Sequence, residues 1–131
     1  MQLQNAPEAP GAIGPYCHAV HVGDLVFCSG QTPIDPEKME LIGDDIQVQT
    51  KQVLQNLETV LTSLELDLSS VIKTTVFLAS MEDFQGMNAV YAEMFGAHRP
   101  ARTTVAVKEN PLGALVEIEC IAEARSRSQE S

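Results

Sequence analysis

The sequence predicts an α+β domain in which one mixed β-sheet carries two helices on the same face. The 131 residues, of which 44% are hydrophobic and 20% charged, suit a single globular domain with one core. The predicted elements follow the order ββαβαββ, with room for one small extra strand. Two strand-helix-strand crossovers of the preferred hand then place both helices on one side of the sheet.

The first third of the chain predicts an irregular entry followed by a β-hairpin. Residues 1–15 contain three prolines and two glycines, which interrupt regular structure. Ala19–Val22 and residues 25–29 are short runs rich in Val and Phe, and the Gly23-Asp24 pair between them suits a two-residue turn. Residues 30–45 combine prolines, glycines and acids, and they predict a loop with at most a brief strand.

The middle of the chain predicts two amphipathic helices with a buried strand between them. From Ile46 to about Asp67, apolar residues recur three, four and seven positions apart. Val71–Leu78 is rich in Val, Ile, Thr and Phe, which is typical of a strand. A capping-box pattern begins at Ser80, and residues 84–95 again repeat apolar side chains at helical spacing.

Two further strands, residues 102–107 and 115–124, complete the predicted sheet, and residues 126–131 form a polar tail. The last strand carries apolar side chains on both of its faces. Because two helices cover only one face of a sheet, the other face needs a different cover. The sequence therefore predicts a closed homo-oligomer.

Charge and composition restrict the partners of the chain. Eighteen Asp and Glu against eight Lys and Arg give a net charge of −10, which disfavours nucleic-acid binding. No apolar run approaches the roughly 18 residues of a membrane span, and the first residues do not resemble a signal peptide. Three scattered cysteines fit a reducing compartment. We expect a cytoplasmic protein with no membrane partner.

Cys17, His18 and His21 form the one group whose residue types suit a metal ion. On a strand, positions 18 and 21 point to opposite faces, and no second ligand pair with suitable spacing follows. The chain also lacks the GxGxxG, P-loop and GxSxG motifs. We therefore predict no metal site at these residues, and the common signatures of dinucleotide binding, nucleotide binding and serine hydrolases are absent from the sequence.

Two acidic residues on the last strand are candidates for acid-base chemistry. Glu117 and Glu119 point the same way within an apolar segment. A carboxylate withdrawn from water takes a cation or hydrogen bonds, or its pKa rises. Arg102, at the start of the preceding strand, offers a planar fork that matches a substrate carboxylate. The alternatives are that both glutamates face solvent and that Arg102 is a surface ion-pair partner.

Two turns add further candidates for a ligand site. Tyr16 follows an Ile-Gly-Pro turn that would fix its hydroxyl before the first strand. Ser29 and Gly30 end the second strand, where backbone N–H groups could face a ligand. Each is also compatible with an ordinary structural role, Tyr16 as a packing residue and Ser29-Gly30 as a strand terminator.

Six segments in this order together resemble the RidA/YjgF family of reactive-intermediate deaminases, and the resemblance spans nearly the whole chain. The segments are Ile13–Tyr16, Ser29–Gln31, Lys73–Phe77, Asn88–Tyr91, Pro100–Val105 and Gly113–Glu119.

The resemblance implies a chorismate-mutase-like α+β fold and a homotrimer with a barrel-like centre and ligand clefts between subunits. It implies hydrolysis of 2-imino acids, formed from enamines such as 2-aminoacrylate and 2-aminocrotonate, to 2-keto acids and ammonia, without cofactor or metal. By motif, Arg102 would hold the substrate carboxylate and Glu117 would position or activate water. The remaining cleft residues would be Tyr16, Ser29, Gly30 and, through its backbone, Thr104.

The sequence departs from the family pattern at several cleft positions, which leaves the substrate preference open. Cys17-His18 follows Tyr16 where Gln is common at the second place, and Thr104 stands where many bacterial members have Cys. Arg99 replaces a bulky apolar residue, and Asn110 replaces Leu. A non-catalytic module that binds small carboxylates is the alternative function. A ribonuclease or translation inhibitor fits the negative charge less well.

Overall fold

The structure, a computed structural model, describes residues 1–124, and the predicted tail at 126–131 lies outside the described residues. Six β-strands and two α-helices follow one another along the described residues. They are β1 (Gln2–Gln4), β2 (Ala19–Val22), β3 (Leu25–Gln31), α1 (Ile46–Thr62), β4 (Val71–Leu78), α2 (Phe84–Phe95), β5 (Ala101–Ala106) and β6 (Val116–Glu123).

The strands form one six-stranded mixed sheet in the order β1-β2-β3-β6-β4-β5. All neighbouring pairs are antiparallel except β4 and β5, which are parallel and joined through α2. β3 and β4 also run in the same direction, with β6 between them and α1 in their connection. Because both connections are crossovers of this kind, both helices lie on one face, as predicted.

The helix α1 begins at a well-formed cap and ends earlier than predicted. The Asp45 carboxylate accepts hydrogen bonds from the backbone N–H groups of Gln47 and Val48, at 2.8 and 3.1 Å. The predicted end near residue 67 is wrong, because the helix ends at Thr62 and Glu65 adopts a φ of 61°. A left-handed residue cannot continue a right-handed helix.

The hydrophobic core lies between the helices and one face of the sheet. Alternate residues of β6, from Val116 to Ala122, are fully buried or nearly so, whereas the residues between them are partly or fully exposed. This confirms that Glu117 and Glu119 point the same way, opposite to the buried side chains of the strand. The largest fully buried side chains are Leu54, Leu57, Leu61, Leu78, Met87 and Ile118.

The opposite face of the sheet has no cover among residues 1–124. Phe27 is 42% exposed there, and Phe77 and Ile121 are only partly buried. Apolar side chains on an open sheet face cost free energy in water. The closed homo-oligomer expected from this face stays a prediction.

The prediction that residues 1–15 are wholly irregular is wrong at their beginning. Gln2–Gln4 forms β1 and pairs with β2 at the edge of the sheet. The following residues are held by the buried His18, whose Nδ1 accepts a hydrogen bond from the Ala6 N–H at 2.9 Å. Its Nε2 donates to the Pro10 carbonyl at 2.8 Å. Both ring nitrogens of His18 therefore hold the N-terminal segment in place.

Candidate active site

A β-bulge in β3 presents the first two site candidates. Cys28 pairs with Cys120 and Gln31 with Ile118, so Ser29 and Gly30 together lie opposite a single residue of β6. The Ser29 hydroxyl donates to the Cys17 carbonyl at 2.7 Å, and this bond ties β3 to the segment that carries Tyr16. The strand continues to Gln31, so the predicted end at residue 29 is wrong.

Glycine at position 30 lets the Glu117 side chain approach the backbone of β3. A Cβ atom at Gly30 would lie 3.0 Å from both Cδ and Oε2 of Glu117. Any larger residue would displace this carboxyl group. The packing of Glu117 against Gly30 thus places an acid directly beside the bulge.

The Glu117 carboxyl group is half-buried and lacks a neutralising partner. Burial raises its pKa, and the negative charge of Glu119 raises the pKa further. No group in the described part of the chain donates a hydrogen bond to it. Glu119, in contrast, is exposed, so the interpretation of both glutamates as solvent-facing residues holds for Glu119 alone. A carboxyl group with a raised pKa suits proton transfer nearer to neutral pH.

Tyr16 stands at the rim of the same region. It is 46% exposed, and its hydroxyl accepts a hydrogen bond from the Ile13 N–H at 3.4 Å. Tyr16 and Gly30 line one shallow cleft. We call Tyr16, Ser29, Gly30 and Glu117 the acidic half-site.

Arg102 lies elsewhere, against the helix α2. Its guanidinium carbon is 4.8 Å from the centroid of the Tyr91 ring and 5.6 Å from that of Phe84. Nη1 also contacts the Met87 sulfur at 3.9 Å. Within residues 1–124 the guanidinium forms no ion pair, so its interpretation as a surface ion-pair partner is wrong for the described residues. Stacking and the Met87 contact fix the group, and the N–H donors other than this one are left for an anion.

Thr104 follows Arg102 on the same face of β5. It pairs with the buried Val76 of β4, as Arg102 pairs with the buried Thr74. The Thr104 hydroxyl oxygen is buried and has no hydrogen-bond partner in the described chain. We call Arg102 and Thr104 the arginine half-site.

Tyr91 was not among the predicted site residues, because its helical spacing is typical of a residue in the core or on the surface of a helix. Tyr91 is buried at 5% exposure, yet one face of its ring supports the Arg102 guanidinium. Its hydroxyl lies 2.7 Å from the Thr74 hydroxyl, and burial raises its pKa. The four-residue spacing of Met87 and Tyr91 on α2 was visible in the sequence, but the position of β5 beside that helix was not.

The two half-sites lie on opposite faces of the sheet. Arg102 pairs with Thr74, whose side chain points into the core, whereas Glu117 pairs with Phe77 on the open face. Adjacent residues of a strand point to opposite faces of the sheet. Thr74 and Phe77 are three positions apart, which is an odd number, so Arg102 and Glu117, which pair with them, lie on opposite faces. A single copy of the chain therefore does not bring Arg102 and Glu117 together.

One groove of the surface lies away from both half-sites. A groove of about 340 Å³ between residues 6–8 and α1 holds no predicted site residue. Residues 1–124 contain no group of three or more His, Cys, Asp or Glu with metal-binding geometry. In that same range no helix is long and apolar enough to span a bilayer.

The fold and these side chains define a small α+β protein whose polar clusters lie on opposite faces of one sheet. Similarity to known proteins identifies the family within this structural class. The family model described as Endoribonuclease L-PSP matches residues 6–124. A RutC family protein of Pyrococcus horikoshii is 48% identical over 115 residues, which are 88% of this chain and 91% of that protein.

Two further relatives carry more specific names. Reactive Intermediate Deaminase A, chloroplastic, of Arabidopsis thaliana is 42% identical over 121 residues, covering 92% of this chain and 65% of that protein. The crystal structure of E. coli TdcF with bound serine has a TM-score of 0.90 and 37% identity, covering 96% of this chain and 100% of that one. The chain belongs to the RidA/YjgF family, which confirms the resemblance seen in the sequence.

Proposed function

We propose that the chain is a deaminase that hydrolyses 2-imino acids to 2-keto acids and ammonia, in sites shared between the copies of a homotrimer. The main observation that supports shared sites is that Arg102 and Glu117 lie on opposite faces of the sheet. Each group is only partly buried and lacks a charged partner within residues 1–124. A cyclic trimer would join the arginine half-site of one copy to the acidic half-site of the next.

The open sheet face supports this assembly. Phe27 and its apolar neighbours need cover, and a second copy of the chain offers a matching apolar surface. Contact between copies would also exclude water from Glu117, which strengthens the polar interactions in the cleft. The relative from Arabidopsis thaliana, which is named as a reactive-intermediate deaminase, supports the reaction class.

The two half-sites supply the groups that imine hydrolysis needs. Arg102 would bind the substrate carboxylate through paired N–H donors and so orient the imine carbon. Glu117 would take a proton from a water molecule while the water oxygen forms a bond to that carbon. The same carboxyl group would then return the proton to the nitrogen of the tetrahedral intermediate, and the C–N bond breaks to release ammonia. As the C–N bond breaks, the second proton of the water oxygen passes to the same nitrogen through this carboxyl group, so that one imine and one water yield the keto group and NH3.

The negative net charge of the chain does not oppose an anionic substrate in this site. Distant surface charges are screened beyond a Debye length of about 8 Å at physiological salt. Arg102 is held by two aromatic rings and is not neutralised by a carboxylate within residues 1–124. The local donor therefore determines the affinity for a small carboxylate.

A coupled assay tests the proposed reaction. An amino-acid oxidase or a dehydratase generates 2-iminobutanoate or 2-iminopropanoate, and formation of the keto acid is followed with and without the protein. Arg102→Ala and Glu117→Gln should each lower turnover by at least about 100-fold, as expected for loss of substrate positioning or of an acid-base group. If the wild-type protein does not accelerate the reaction over buffer, the proposed function is wrong.

Two control variants test whether a loss of turnover comes from the site residue itself or from the removal of any nearby charge. Lys108→Ala removes one exposed cation close to β5, and Glu119→Gln neutralises the exposed glutamate on the same face as Glu117. Both should retain turnover within about twofold, since neither side chain belongs to a half-site. Equal losses in a control and in its site variant would refute the assigned roles.

A non-catalytic module for small carboxylates is the second candidate. It is favoured by the E. coli TdcF structure, whose description names bound serine. This function predicts that wild-type protein binds 2-oxobutanoate in calorimetry but shows no turnover of the corresponding imine. A ribonuclease stays disfavoured by the net charge of −10, although the matching family model carries that name.

A further inference from the structure

A second arginine shares the cavity that holds Arg102. This cavity, of about 320 Å³, lies between the last turns of α2 and the start of β5. It is lined by Asn88, Tyr91, Ala92, Arg99, Pro100 and Arg102. The whole chain has only eight Lys and Arg against eighteen acids, so two guanidinium groups on one small cavity form a local concentration of positive charge.

The Arg99 guanidinium is held in place by the end of α2. Its Nη1 atom donates to the carbonyl oxygens of Gly96 and His98, the latter at 2.9 Å. These two bonds use the donors of one nitrogen and leave Nη2 and Nε, which form a second edge of the planar fork. Arg99 has no ion-pair partner within residues 1–124. The free edge can therefore donate two parallel hydrogen bonds to a carboxylate.

We propose that the site prefers 2-imino acids with a second carboxylate, of four or five carbons, and that Arg99 binds this distal group. The inference rests on the proposed function, because it assigns the 1-carboxylate to Arg102. A substrate with an alkyl side chain leaves Arg99 without an anion. A dicarboxylic substrate pairs both guanidinium groups at once, and each charge-assisted pair adds affinity.

The competing explanation is that Arg99 only stabilises the C-terminal end of α2. A cation near the last carbonyl groups of a helix offsets the negative end of its dipole. Both explanations predict that Arg99→Ala lowers the stability of the chain. Only the binding role predicts a change in the relative use of two substrates, so selectivity is the decisive readout.

The test compares two substrates in wild-type protein, Arg99→Ala and Arg99→Lys. Glutamate and aspartate oxidation supplies the dicarboxylic imines, and 2-aminobutanoate oxidation supplies the monocarboxylic one. The ratio of kcat/KM, dicarboxylic over monocarboxylic, should fall about tenfold in Arg99→Ala and by less in Arg99→Lys, which retains the charge but loses the fork. Lys108→Ala should leave the ratio unchanged. An unchanged ratio in Arg99→Ala overturns the inference and leaves the deaminase function intact.

A binding measurement keeps the inference testable if the proposed function fails. Should the wild-type protein turn over none of the imines, calorimetry with 2-oxoglutarate and 2-oxobutanoate replaces the kinetic ratio. The inference predicts tighter binding of 2-oxoglutarate and about a tenfold loss of that preference in Arg99→Ala. Equal affinities for the two keto acids in wild-type protein would overturn it.

Discussion

The hydrogen bond between Thr74 and Tyr91 should make these two residues strongly interdependent. Thr74 is fully buried, Tyr91 is 5% exposed, and their hydroxyl oxygens lie 2.7 Å apart. Thr74→Val leaves the Tyr91 hydroxyl buried without a partner, which costs about 1–3 kcal/mol. Tyr91→Phe likewise leaves the Thr74 hydroxyl buried without a hydrogen-bond partner, and the free-energy cost should be about the same. The double variant removes both hydroxyl groups and leaves no unpaired polar atom.

A double-mutant cycle measures this interdependence directly. The loss of unfolding free energy in the double variant should be smaller than the sum of the two single losses by about 1 kcal/mol or more. The assay is urea denaturation at one fixed protein concentration, because association between copies would make stability depend on concentration. Strict additivity, or two single variants as stable as wild type, would refute the assigned hydrogen bond.

Three further predictions follow from close contacts and from charge. Because the pKa of Glu117 is raised in the folded state above its ordinary value of 4.5, the folded form loses stability as the pH rises through the folded-state pKa. Glu117→Gln should therefore be more stable than wild type at pH 7, with a gain that disappears below about pH 4.5; a gain independent of pH contradicts this. Gly86→Ala places a Cβ atom 2.6 Å from Cγ2 of Ile46, and thermal unfolding should show a net loss of about 1–3 kcal/mol despite the better helix propensity of Ala. Ile46→Ala in the same chain should reduce the cost of the Gly86 change, and no reduction would rule out the clash as its cause. Gly30→Ala should displace the Glu117 carboxyl group and lower turnover at least about tenfold with little loss of stability, so a fully active variant would exclude the proposed position of this acid.

Periodicity in the sequence predicted the elements that are stabilised by burial. Alternation along residues 116–122 and the helical spacing of apolar residues both depend on the contrast between a core and solvent, and both are confirmed. The strand Gln2–Gln4 was not predictable in this way, because its three residues are held by pairing with β2 and not by an apolar pattern. The early end of α1 was not predictable either. It depends on the left-handed conformation of Glu65, which a glutamate does not favour.

The candidate site was predictable residue by residue but not as an arrangement. The sequence indicated Arg102 and Glu117 as chemical groups, yet their faces depend on the register of β4 with β5 and β6. Register is a long-range property that a single strand pattern does not specify. Tyr91 and Arg99 were missed as neighbours of Arg102 for the same reason, since the contacts come from the packing of α2 beside β5.

Mixing two inactive variants tests most directly whether the site is shared between copies. Arg102→Ala chains keep Glu117, and Glu117→Gln chains keep Arg102. In a cyclic trimer assembled at random from equal amounts, about one quarter of the sites combine an intact arginine from one copy with an intact glutamate from the next. Co-expressed or co-refolded mixtures should thus recover about one quarter of wild-type turnover. Activity no higher than that of the separate parents, in mixtures whose assembly is confirmed by mass spectrometry, would contradict a site built from two copies.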